Sequence, residues 1–459
     1  MKNQRREVPD SRFQISECLV SGIWHLADNE FCRCMLLVII VLLSFQAGTA
    51  HAAHGVLTYR YQHHLFELHT SRFSDWLGTQ EVWTYHGRPM QPLAAWRTDG
   101  DLVPQLPTGV SQSVRPAWDR EAIADTLSLY IARDLDREPG SVVITRSGTG
   151  ALTFSGVGLL GRRLRLHDAV TLTIAALNEG VDDVILPVDE QQPAVSVLDP
   201  GLQDRGIVEV VAIGESDFSG SPRNREHNIS VGLERFNGHV IRQGETFSFN
   251  TVLGPVNQET GYRPELVILG EKTLPEFGGG LCQVSTTAFR GAWEYGFPIV
   301  ERRNHSFAVR YYSPQGTDAT IYPPNTDLQF LNDGPSDLLM QTYVRDGHAY
   351  FIYYGMRDNR SVELVGPYNW GWAEPPPERI EYTPALQPGE KLKLGDAVPG
   401  LRTAWFRIVT RSQGGGEPEG FYSIYEARPL YYQVGQPEVA EPDWFSLPPI
   451  NAVDTVSDE

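Results

Sequence analysis

The segment EFGGGLCQVSTTAFRGAWEYGF, at Glu276–Phe297, places three consecutive glycines shortly before a cysteine. Residues 283–295 carry apolar side chains at helical spacing, and Gly296 follows them as a residue suited to end a helix. The three glycines allow backbone angles and close approaches that other residues do not. The pattern therefore predicts a tight loop followed by a helix, with Cys282 at the N-terminus of that helix.

Cys282 has the setting of a reactive thiol. Unpaired amides and the dipole at a helix N-terminus favour the thiolate, and the amides of Cys282 and Gln283 are suited to hold the oxyanion of a tetrahedral acyl intermediate. A cysteine nucleophile also needs a base, which the segment ERRNHSFAVRYY supplies as His305. Asp318 or Asn304 is predicted to orient that histidine. Together these residues predict a cysteine acyl-transfer site.

Substrate contacts are predicted on the same two segments. Arg302 and Arg303 suit recognition of a carboxylate, because a guanidinium group can bind both of its oxygens. The residues predicted to contact substrate flank the cysteine and the histidine; they are Gly279, Gly280, Gln283, Ser285, Thr286, Arg302, Arg303 and Ser306.

Simpler roles fit the same residues. Cys282 can serve as a small buried apolar residue, and His305 as a hydrogen-bonded strand residue. A metal site formed by Cys282, His305 and His239 lacks the usual ligand spacing. The glycine run lacks the Lys-Ser/Thr pair of a phosphate loop. The sequence therefore predicts no metal and no cofactor, and leaves the choice between a catalytic and a structural cysteine open.

The N-terminal residues predict export. An apolar run at Met35–Phe45 is followed by Ala50-His51-Ala52, a small-x-small site of the kind that signal peptidases cut. The run is shorter than the ~20 residues of a membrane span. Residues 1–53 are therefore interpreted as a signal peptide, or as an N-terminal anchor that contacts the membrane if it stays uncleaved. The expected location is the cell envelope.

Export also determines the cysteine count. Three of the four cysteines, Cys18, Cys32 and Cys34, precede the apolar run, so the exported part keeps Cys282 alone and forms no internal disulfide. An exported thiol without a function is an oxidation liability, which favours a chemical role for it. The net charge of −19 would repel a phosphate backbone, so no nucleic-acid partner is predicted.

The remaining pattern predicts a multidomain α+β chain. An N-terminal α+β domain is indicated by two helices, one capped by Asp119 and one ended by Gly180. The central part contains the glycine loop and its helix, and the β-rich C-terminal part begins with a hairpin at Asp346-Gly347. The predicted boundaries are 54–200, 205–334, 335–374 for a β-hairpin extension, 375–436 for a small β module, and 437–459 for a disordered acidic tail.

Four motifs in order resemble the VanW domain, which is named from a vancomycin-resistance cluster. They are FSFNTVLGPVNQETGYRPELVI, GGGLCQVSTTAF, VERRNHSFAVRYYSPQGTDATIY and DLQFLND, and the resemblance covers residues 223–333. Residues 54–200 are similar to the peptidoglycan-binding domain that commonly precedes VanW. Residues 375–436 look like the five-glycine module of cell-wall proteins, although several of its glycine positions are not obvious here.

The resemblance implies a location at the cell wall with peptidoglycan as partner. Some VanW-domain proteins have been assigned L,D-transpeptidase activity, which would make Cys282 the nucleophile and His305 the base. The motif of the well-known L,D-transpeptidases, a histidine shortly before a Ser/x-Gly-Cys run, is absent from this sequence. Two functions therefore remain: a cysteine transpeptidase that crosslinks peptidoglycan, and a non-catalytic wall-binding or scaffold protein of the vancomycin-resistance-associated type.

Overall fold

The computed structural model of the protein describes residues 55–91, 106–412 and 414–436. Helices and several separate sheets are mixed along this part of the chain, which agrees with the predicted α+β class. Within these ranges, none of the helices combines the length and the hydropathy of a membrane span. The predicted export segment at residues 1–53 and the predicted acidic tail at 437–459 lie outside the described residues.

The described residues of the N-terminal region, which spans residues 55–203, form four α-helices and four small sheets. Its elements are α1 (Arg120–Leu127), α2 (Arg133–Leu135), α3 (Leu166–Glu179), α4 (Pro200–Gln203), β1 (Leu57–Tyr61), β2 (His64–Leu68), β3 (Leu77–Tyr85), β4 (Arg88–Pro89), β5 (Val110–Trp118), β6 (Ser141–Arg146), β7 (Leu152–Val157), β8 (Gly161–Leu164), β9 (Asp183–Ile185), β10 (Val188–Gln191) and β11 (Ala194–Val197). The strand orders are β2-β1-β9, β10-β8, β11-β6-β7 and β4-β3-β5.

Two predicted helix ends in this region are confirmed. The Asp119 side chain accepts hydrogen bonds from the backbone amides of Glu121 and Ala122 and so caps α1. Gly180 ends α3 in the left-handed conformation with φ of 75°. Both helices bury their apolar faces in one core with β1, where Leu57 and Tyr59 are fully buried.

The central region, residues 209–355, is built around a four-stranded sheet. Its elements are α5 (Arg223–Glu234), α6 (Phe249–Leu253), α7 (Leu281–Tyr295), β12 (Glu209–Asp217), β13 (Val240–Ile241), β14 (Thr246–Ser248), β15 (Pro264–Leu269), β16 (Lys272–Phe277), β17 (Ile299–Glu301), β18 (Gln329–Leu331), β19 (Leu338–Arg345) and β20 (His348–Gly355). The main sheet has the order β12-β20-β19-β13, beside a β14-β18-β17 sheet and the β15-β16 hairpin.

α7 lies directly against the main sheet because two glycines permit it. A Cβ atom on Gly214 of β12 would lie 1.9 Å from the Thr287 carbonyl oxygen, and one on Gly291 of α7 would lie 2.6 Å from the Gly214 nitrogen. Both distances are far below van der Waals contact, so only glycine at both positions allows this approach. The predicted helix is confirmed, with Gly296 as its left-handed C-cap, and it begins at Leu281.

The C-terminal region, residues 361–436, forms two three-stranded sheets. Its elements are β21 (Ser361–Ala373), β22 (Arg379–Thr383), β23 (Lys391–Gly395), β24 (Gly400–Thr410), β25 (Glu419–Tyr425) and β26 (Tyr431–Gly435). The strand orders are β21-β24-β25 and β22-β26-β23. Trp405 of β24 packs edge-on against Trp293 of α7, with ring centroids 5.6 Å apart, so this region joins the core of the central region.

The structure places the hairpin at 338–355 differently from the sequence prediction. The Asp346-Gly347 turn is confirmed, with φ of 50° and 79°. However, β20 pairs with β12 and β19 pairs with β13, so the hairpin supplies two strands of the main sheet and is no extension outside it. These pairings join segments far apart in the chain, which local patterns do not reveal. Buried residues of β6 also share a core with β20, where Ile144 and Tyr354 belong to one cluster.

Two local sequence patterns in the central region predict the wrong structure: Gly238 as the C-cap of a helix, and Phe247 and Phe249 on one face of a short strand. Gly238 does not cap α5, because that helix already ends at Glu234. Instead the Gly238 amide donates a hydrogen bond to the Met340 carbonyl oxygen in the turn before β13. Phe249 does not continue the strand of Phe247, since it opens the short helix α6. Both phenylalanines are nevertheless buried, so the core rather than the strand pattern explains their apolar character.

Candidate functional site

The glycine loop fixes the start of α7 and thereby the position of Cys282. Gly278 and Gly280 have φ of 82° and 110°, values that favour glycine. A Cβ atom on Gly279 would lie 2.8 Å from the Glu265 carbonyl oxygen, so the loop is pressed against β15. The fully buried Asn228 of α5 holds the loop by donating a hydrogen bond to the Gly279 carbonyl oxygen at 3.0 Å. Cys282 is therefore set in the first turn of a rigidly seated helix.

Cys282 is a partly buried residue, and its thiol lies beside polar groups. Its Sγ atom is 3.4 Å from Thr320 Oγ1 and 3.7 Å from the Ile321 carbonyl oxygen. Burial raises the pKa of the thiol, but the interactions with His305 and Thr320 outweigh it, and the pKa is lowered from its usual range. The surroundings thus favour the thiolate, which is the nucleophilic form of cysteine.

His305 is held in place on three sides. Its Nδ1 atom lies 2.6 Å from Asp318 Oδ2, and its backbone amide donates to the same oxygen at 2.8 Å. The imidazole stacks on the Tyr312 ring, with centroids 4.2 Å apart and planes 13° apart. The other ring nitrogen, Nε2, is buried and has no hydrogen-bond partner among the described residues. The ring therefore has one fixed nitrogen and one available nitrogen.

Charge favours the protonated form of this imidazole. Burial lowers the pKa of His305, yet the hydrogen bond to Asp318 and the interaction with Cys282 raise it to about 9. The thiol and the imidazole thus shift each other's pKa in opposite directions, although no hydrogen bond of normal geometry joins them. This is the electrostatic signature of a thiolate and imidazolium pair.

Asp318 is a buried carboxylate with both oxygens engaged. Burial raises its pKa, but the interactions with His305 and Arg302 outweigh it and hold the pKa well below the usual range. Arg302 Nη2 lies 3.1 Å from Asp318 Oδ1, and Arg302 Nε donates to the Asp318 carbonyl oxygen at 2.6 Å. Tyr425 donates from its hydroxyl to the same Oδ1 at 2.5 Å. The structure therefore joins His305 directly to Asp318 and places Cys282 near enough to His305 for the two groups to shift each other's pKa.

Asn304, the alternative orienting group, points elsewhere. Its amide nitrogen donates to the carbonyl oxygens of His305 and of Ile424, at 2.7 and 2.8 Å. Asn304 therefore braces the backbone of the loop, and the imidazole of His305 is oriented by Asp318.

Three of the residues predicted to contact substrate form hydrogen bonds within the protein instead. Gln283, Ser285 and Thr286 are fully buried. The Gln283 side chain accepts from Arg225 at 2.9 Å, while Ser285 and Thr286 both donate to the Ala319 carbonyl oxygen. These contacts fasten the first turns of α7 to α5 and to the neighbouring 317–321 segment, while Gly279 and Gly280 let the loop pack closely against β15 and α5.

The remaining predicted substrate residues divide into one partly buried and two exposed positions. The Arg302 guanidinium donates hydrogen bonds to Asp318 Oδ1, to the Gly316 carbonyl oxygen and to Ser423 Oγ. Arg303 and Ser306 are exposed on either side of His305 in the sequence. Of the two arginines predicted to bind a carboxylate, Arg303 is therefore the one whose side chain faces solvent.

Only one of the two predicted oxyanion amides is available. The Gln283 amide donates to the Gly280 carbonyl oxygen at 2.9 Å and so belongs to the turn. The Cys282 amide makes no hydrogen bond within the described residues, which leaves it free at the helix N-terminus. A single backbone donor therefore lies next to the thiol.

Sequence reasoning missed three residues of this site, namely Thr320, Tyr312 and Tyr425. Thr320 contacts the thiol, Tyr312 supports the imidazole and Tyr425 holds the carboxylate. Thr320 and Tyr312 lie in the same motif as His305 and Asp318, VERRNHSFAVRYYSPQGTDATIY, so their closeness in sequence could have indicated them. Tyr425 is 107 residues from Asp318 along the chain, and no local pattern indicates that contact.

A sizeable cavity in the described part of the structure is not lined by Cys282. It has a volume of about 890 Å³, and Cys282, His305 and Asp318 are not among its lining residues. It is bordered by the β1–β2 hairpin, the end of β12, the 310–315 segment and the middle of β21. Within the described ranges, no group of three or more His, Cys, Asp or Glu side chains is placed to hold a metal ion.

Comparison with known proteins identifies the domain that carries the site. Residues 224–354 match the model of a family described as VanW like protein. Over 137 residues the chain is 36% identical to the uncharacterized protein YoaR of Bacillus subtilis (strain 168), a match that covers 30% of this chain and 45% of YoaR. Over 126 residues it is 30% identical to the vancomycin B-type resistance protein VanW of Enterococcus faecalis (strain ATCC 700802 / V583), covering 26% of this chain and 45% of that protein.

The extent of these matches follows the structure of the central region. The chain spans less than half the length of each of these two relatives. The family match ends at residue 354, so it includes the β19–β20 hairpin that completes the main sheet and that the sequence prediction had left outside. The glycine loop, α7 and the three residues Cys282, His305 and Asp318 all fall inside it. Residues 224–354 of this chain are therefore a VanW domain.

Proposed function

We propose that this protein is a cysteine-dependent acyl transferase of the cell envelope, with Cys282 as nucleophile, His305 as base and Asp318 as the residue that orients His305. The observation that carries the proposal is the His305 imidazole, which is held by the buried Asp318 carboxylate at Nδ1, keeps Nε2 without a partner among the described residues, and lowers the pKa of the partly exposed Cys282. A structural cysteine needs neither the shifted pKa nor the oriented histidine.

The geometry supports a two-step acyl transfer. In the first step the thiolate attacks an amide carbonyl, the C–N bond breaks, and the His305 imidazolium gives its proton to the leaving amine. The product is a thioester on Cys282. In the second step an amine attacks the thioester, its proton passes to His305, and the thiolate leaves. The free amide of Cys282 is placed to stabilise the oxyanion in both steps.

We propose peptidoglycan stem peptides as the substrate class, with an L,D-transpeptidase type of crosslinking as the reaction. Support comes from the relative named as a vancomycin B-type resistance protein and from the resemblance of residues 54–200 to a peptidoglycan-binding domain. The exposed Arg303 and Ser306 beside His305 suit a substrate that carries a carboxylate. A thiol that lies outside the large cavity suits an extended polymer better than a small enclosed molecule.

One observation favours the non-catalytic alternative, in which the protein binds the cell wall without chemistry. The cavity of about 890 Å³ is not lined by Cys282, whereas active sites commonly occupy a large, well-formed cavity. In that case Cys282 would be a structural residue that contacts Thr320 and Ile321.

The experiment that separates the two functions combines thiol labelling with an acyl-transfer assay. Cys282 alkylation by iodoacetamide is followed at pH 7 on the Cys282 peptide by mass spectrometry, so that the other cysteines do not interfere. Purified protein is also incubated with tetrapeptide-bearing muropeptides, and the intact mass is searched for a thioester adduct. We expect rapid alkylation and an adduct that Cys282→Ala abolishes.

Sacculus binding provides the control for this experiment. Cys282→Ala should bind isolated sacculi as well as the unmodified protein does, because the substitution leaves the surface of the N-terminal region unchanged. A thiol that labels no faster than a free cysteine, or an adduct that persists in Cys282→Ala, would contradict the proposed function.

A further inference from the structure

The C-terminal sheet β21-β24-β25 makes direct contact with the loop that carries His305 and Asp318. Trp405 of β24 donates from its indole nitrogen to the Gln315 carbonyl oxygen at 2.8 Å. The Glu426 amide, just after β25, donates to the Ser306 carbonyl oxygen at 2.7 Å. These bonds join a region that the sequence set apart as a separate module to the segment between residues 304 and 318.

The inward face of β25 reaches the carboxylate itself. Along this strand Phe421, Ser423 and Tyr425 are buried, whereas Tyr422 and Ile424 are 63% and 60% exposed. The alternation follows the period of a strand that has one face on the core. Ser423 Oγ accepts a hydrogen bond from Arg302 Nη1 at 2.8 Å, and the Tyr425 hydroxyl donates to Asp318 Oδ1 at 2.5 Å.

Tyr425 also fixes the backbone on the far side of the carboxylate. Its hydroxyl oxygen accepts the hydrogen bond of the Gly316 amide at 2.7 Å while its proton goes to Asp318. Burial raises the pKa of Tyr425 far above the working range, so the phenol stays neutral and keeps its proton to donate. The Tyr425 hydroxyl therefore bridges the Gly316 amide and Asp318 Oδ1 and fixes the position of one relative to the other.

We propose that Tyr425 is a positioning residue of the cysteine site, so that the C-terminal sheet is a working part of the VanW domain's chemistry and not an appended module. Asp318 Oδ2 holds His305, and Oδ1 is held by Tyr425 and Arg302. Removing the Tyr425 hydroxyl leaves Oδ1 held by Arg302 alone, which loosens the carboxylate, weakens its bond to the imidazolium and reduces its support of the Cys282 thiolate. The inference rests on the proposed function, since it assumes that the thiolate matters.

The test is the pH profile of Cys282 alkylation in the full-length protein. The rate of iodoacetamide labelling at the Cys282 peptide is measured between pH 5 and pH 10 to find the midpoint of thiolate formation. For the wild type we expect a midpoint below the ~8.5 of a free cysteine. In Tyr425→Phe the midpoint should move upward by about half a unit to one unit, with labelling at pH 7 slowed about threefold to tenfold.

Tyr422→Phe is the matched control, because it removes the same hydroxyl from the outward face of the same strand. Its profile should coincide with that of the wild type. If Tyr425→Phe does not fold by circular dichroism, Ser423→Ala decides, since it loosens Arg302 and should shift the midpoint in the same direction.

The outcomes distinguish this inference from the proposed function. A wild-type midpoint near that of a free cysteine would overturn the proposed function, and this inference with it. A low wild-type midpoint that stays unchanged in folded Tyr425→Phe would overturn the inference alone. A midpoint that moves in Tyr425→Phe but not in Tyr422→Phe supports it, because a purely structural tyrosine would change stability without changing the titration of Cys282.

Discussion

At the scale of single residues, the site depends on competition between burial and charge. Burial alone would make Cys282 a neutral thiol and His305 a neutral imidazole. The carboxylate of Asp318 raises the pKa of His305 and favours the imidazolium, and His305 in turn lowers the pKa of Cys282 and favours the thiolate. The activation of the thiol therefore depends on a carboxylate that contacts the thiol only through the imidazole.

The first prediction concerns Asp318→Asn. The substitution keeps the side chain's size but removes the charge that raises the pKa of His305, so the pKa of His305 falls and its protonated form is disfavoured. The pKa of Cys282 then rises, and iodoacetamide labelling at pH 7 should slow by about tenfold or more. Asp346→Asn, at an exposed turn position with φ of 50° that asparagine tolerates, serves as control and should label at the wild-type rate. Equal rates for both variants would show that Asp318 does not support the thiolate.

At the scale of elements, the sequence predicts those features whose signals are local. The N-cap at Asp119, the C-caps at Gly180 and Gly296 and the Asp346-Gly347 turn each use residues that lie side by side, and each is found in the structure. The parallel pairing of β1 with β9 and the placement of β19–β20 in the main sheet could not be predicted, because they join distant segments.

The candidate site divides in the same way. The glycine loop predicts the helix that begins near Cys282. His305 and Asp318 could be predicted because each is a suitable residue type in a segment close to the other in sequence. The burial of polar Gln283, Ser285 and Thr286 could not be predicted, because it results from packing on more than one side of α7. Their hydrogen bonds to Arg225 and to Ala319 come from elements whose positions the sequence does not reveal.

The second prediction concerns the C-terminal end of α7, where Glu294 meets the β1–β2 hairpin. Glu294 Oε1 lies 2.5 Å from His63 Nδ1, and both side chains are buried. Burial raises the pKa of Glu294 to about 8, against the opposing effect of Arg290. The unfolded chain ionises this group near pH ~4.3, so the stability it contributes is complete below that pH and is lost as the pH rises towards 8.

In Glu294→Gln, the free energy of unfolding should therefore change less with pH than in the wild type. Burial lowers the pKa of His63. This makes the folded protein less stable as the pH falls, which is the opposite of the effect of Glu294, but only below the unfolded pKa of ~6.5. Between pH ~6.5 and 8 the wild type should thus lose on the order of 1 kcal/mol more than the variant, measured as the free energy of unfolding in urea. A wild type and a variant with parallel profiles in this range would show that Glu294 is already ionised.

At the scale of the whole molecule, the described regions are joined through shared cores. Residues of β6 pack in one cluster with β20, and Trp405 and Phe421 of the C-terminal sheet pack in another with α7. Arg407 strengthens the second junction, because its guanidinium donates to the carbonyl oxygens of Trp293 and Phe297 at the end of α7. The boundaries drawn from composition are therefore changes of secondary structure and not gaps between independent cores.

The third prediction tests whether the C-terminal sheet stabilises the helix of the cysteine site. Trp405→Ala removes a fully buried ring that packs on Trp293, and it should reduce the free energy of unfolding by about 3–5 kcal/mol. Amide hydrogen exchange in the peptide 281–295 should accelerate along with that of β24, because the two elements share one core. Trp372→Ala, which removes a 65% exposed ring from β21 of the same sheet, should change stability by less than about 0.5 kcal/mol and leave the exchange of α7 unaltered. If Trp405→Ala accelerates exchange in β24 while α7 stays fully protected, the sheet and the helix are energetically independent, and the C-terminal region would be an appended module after all.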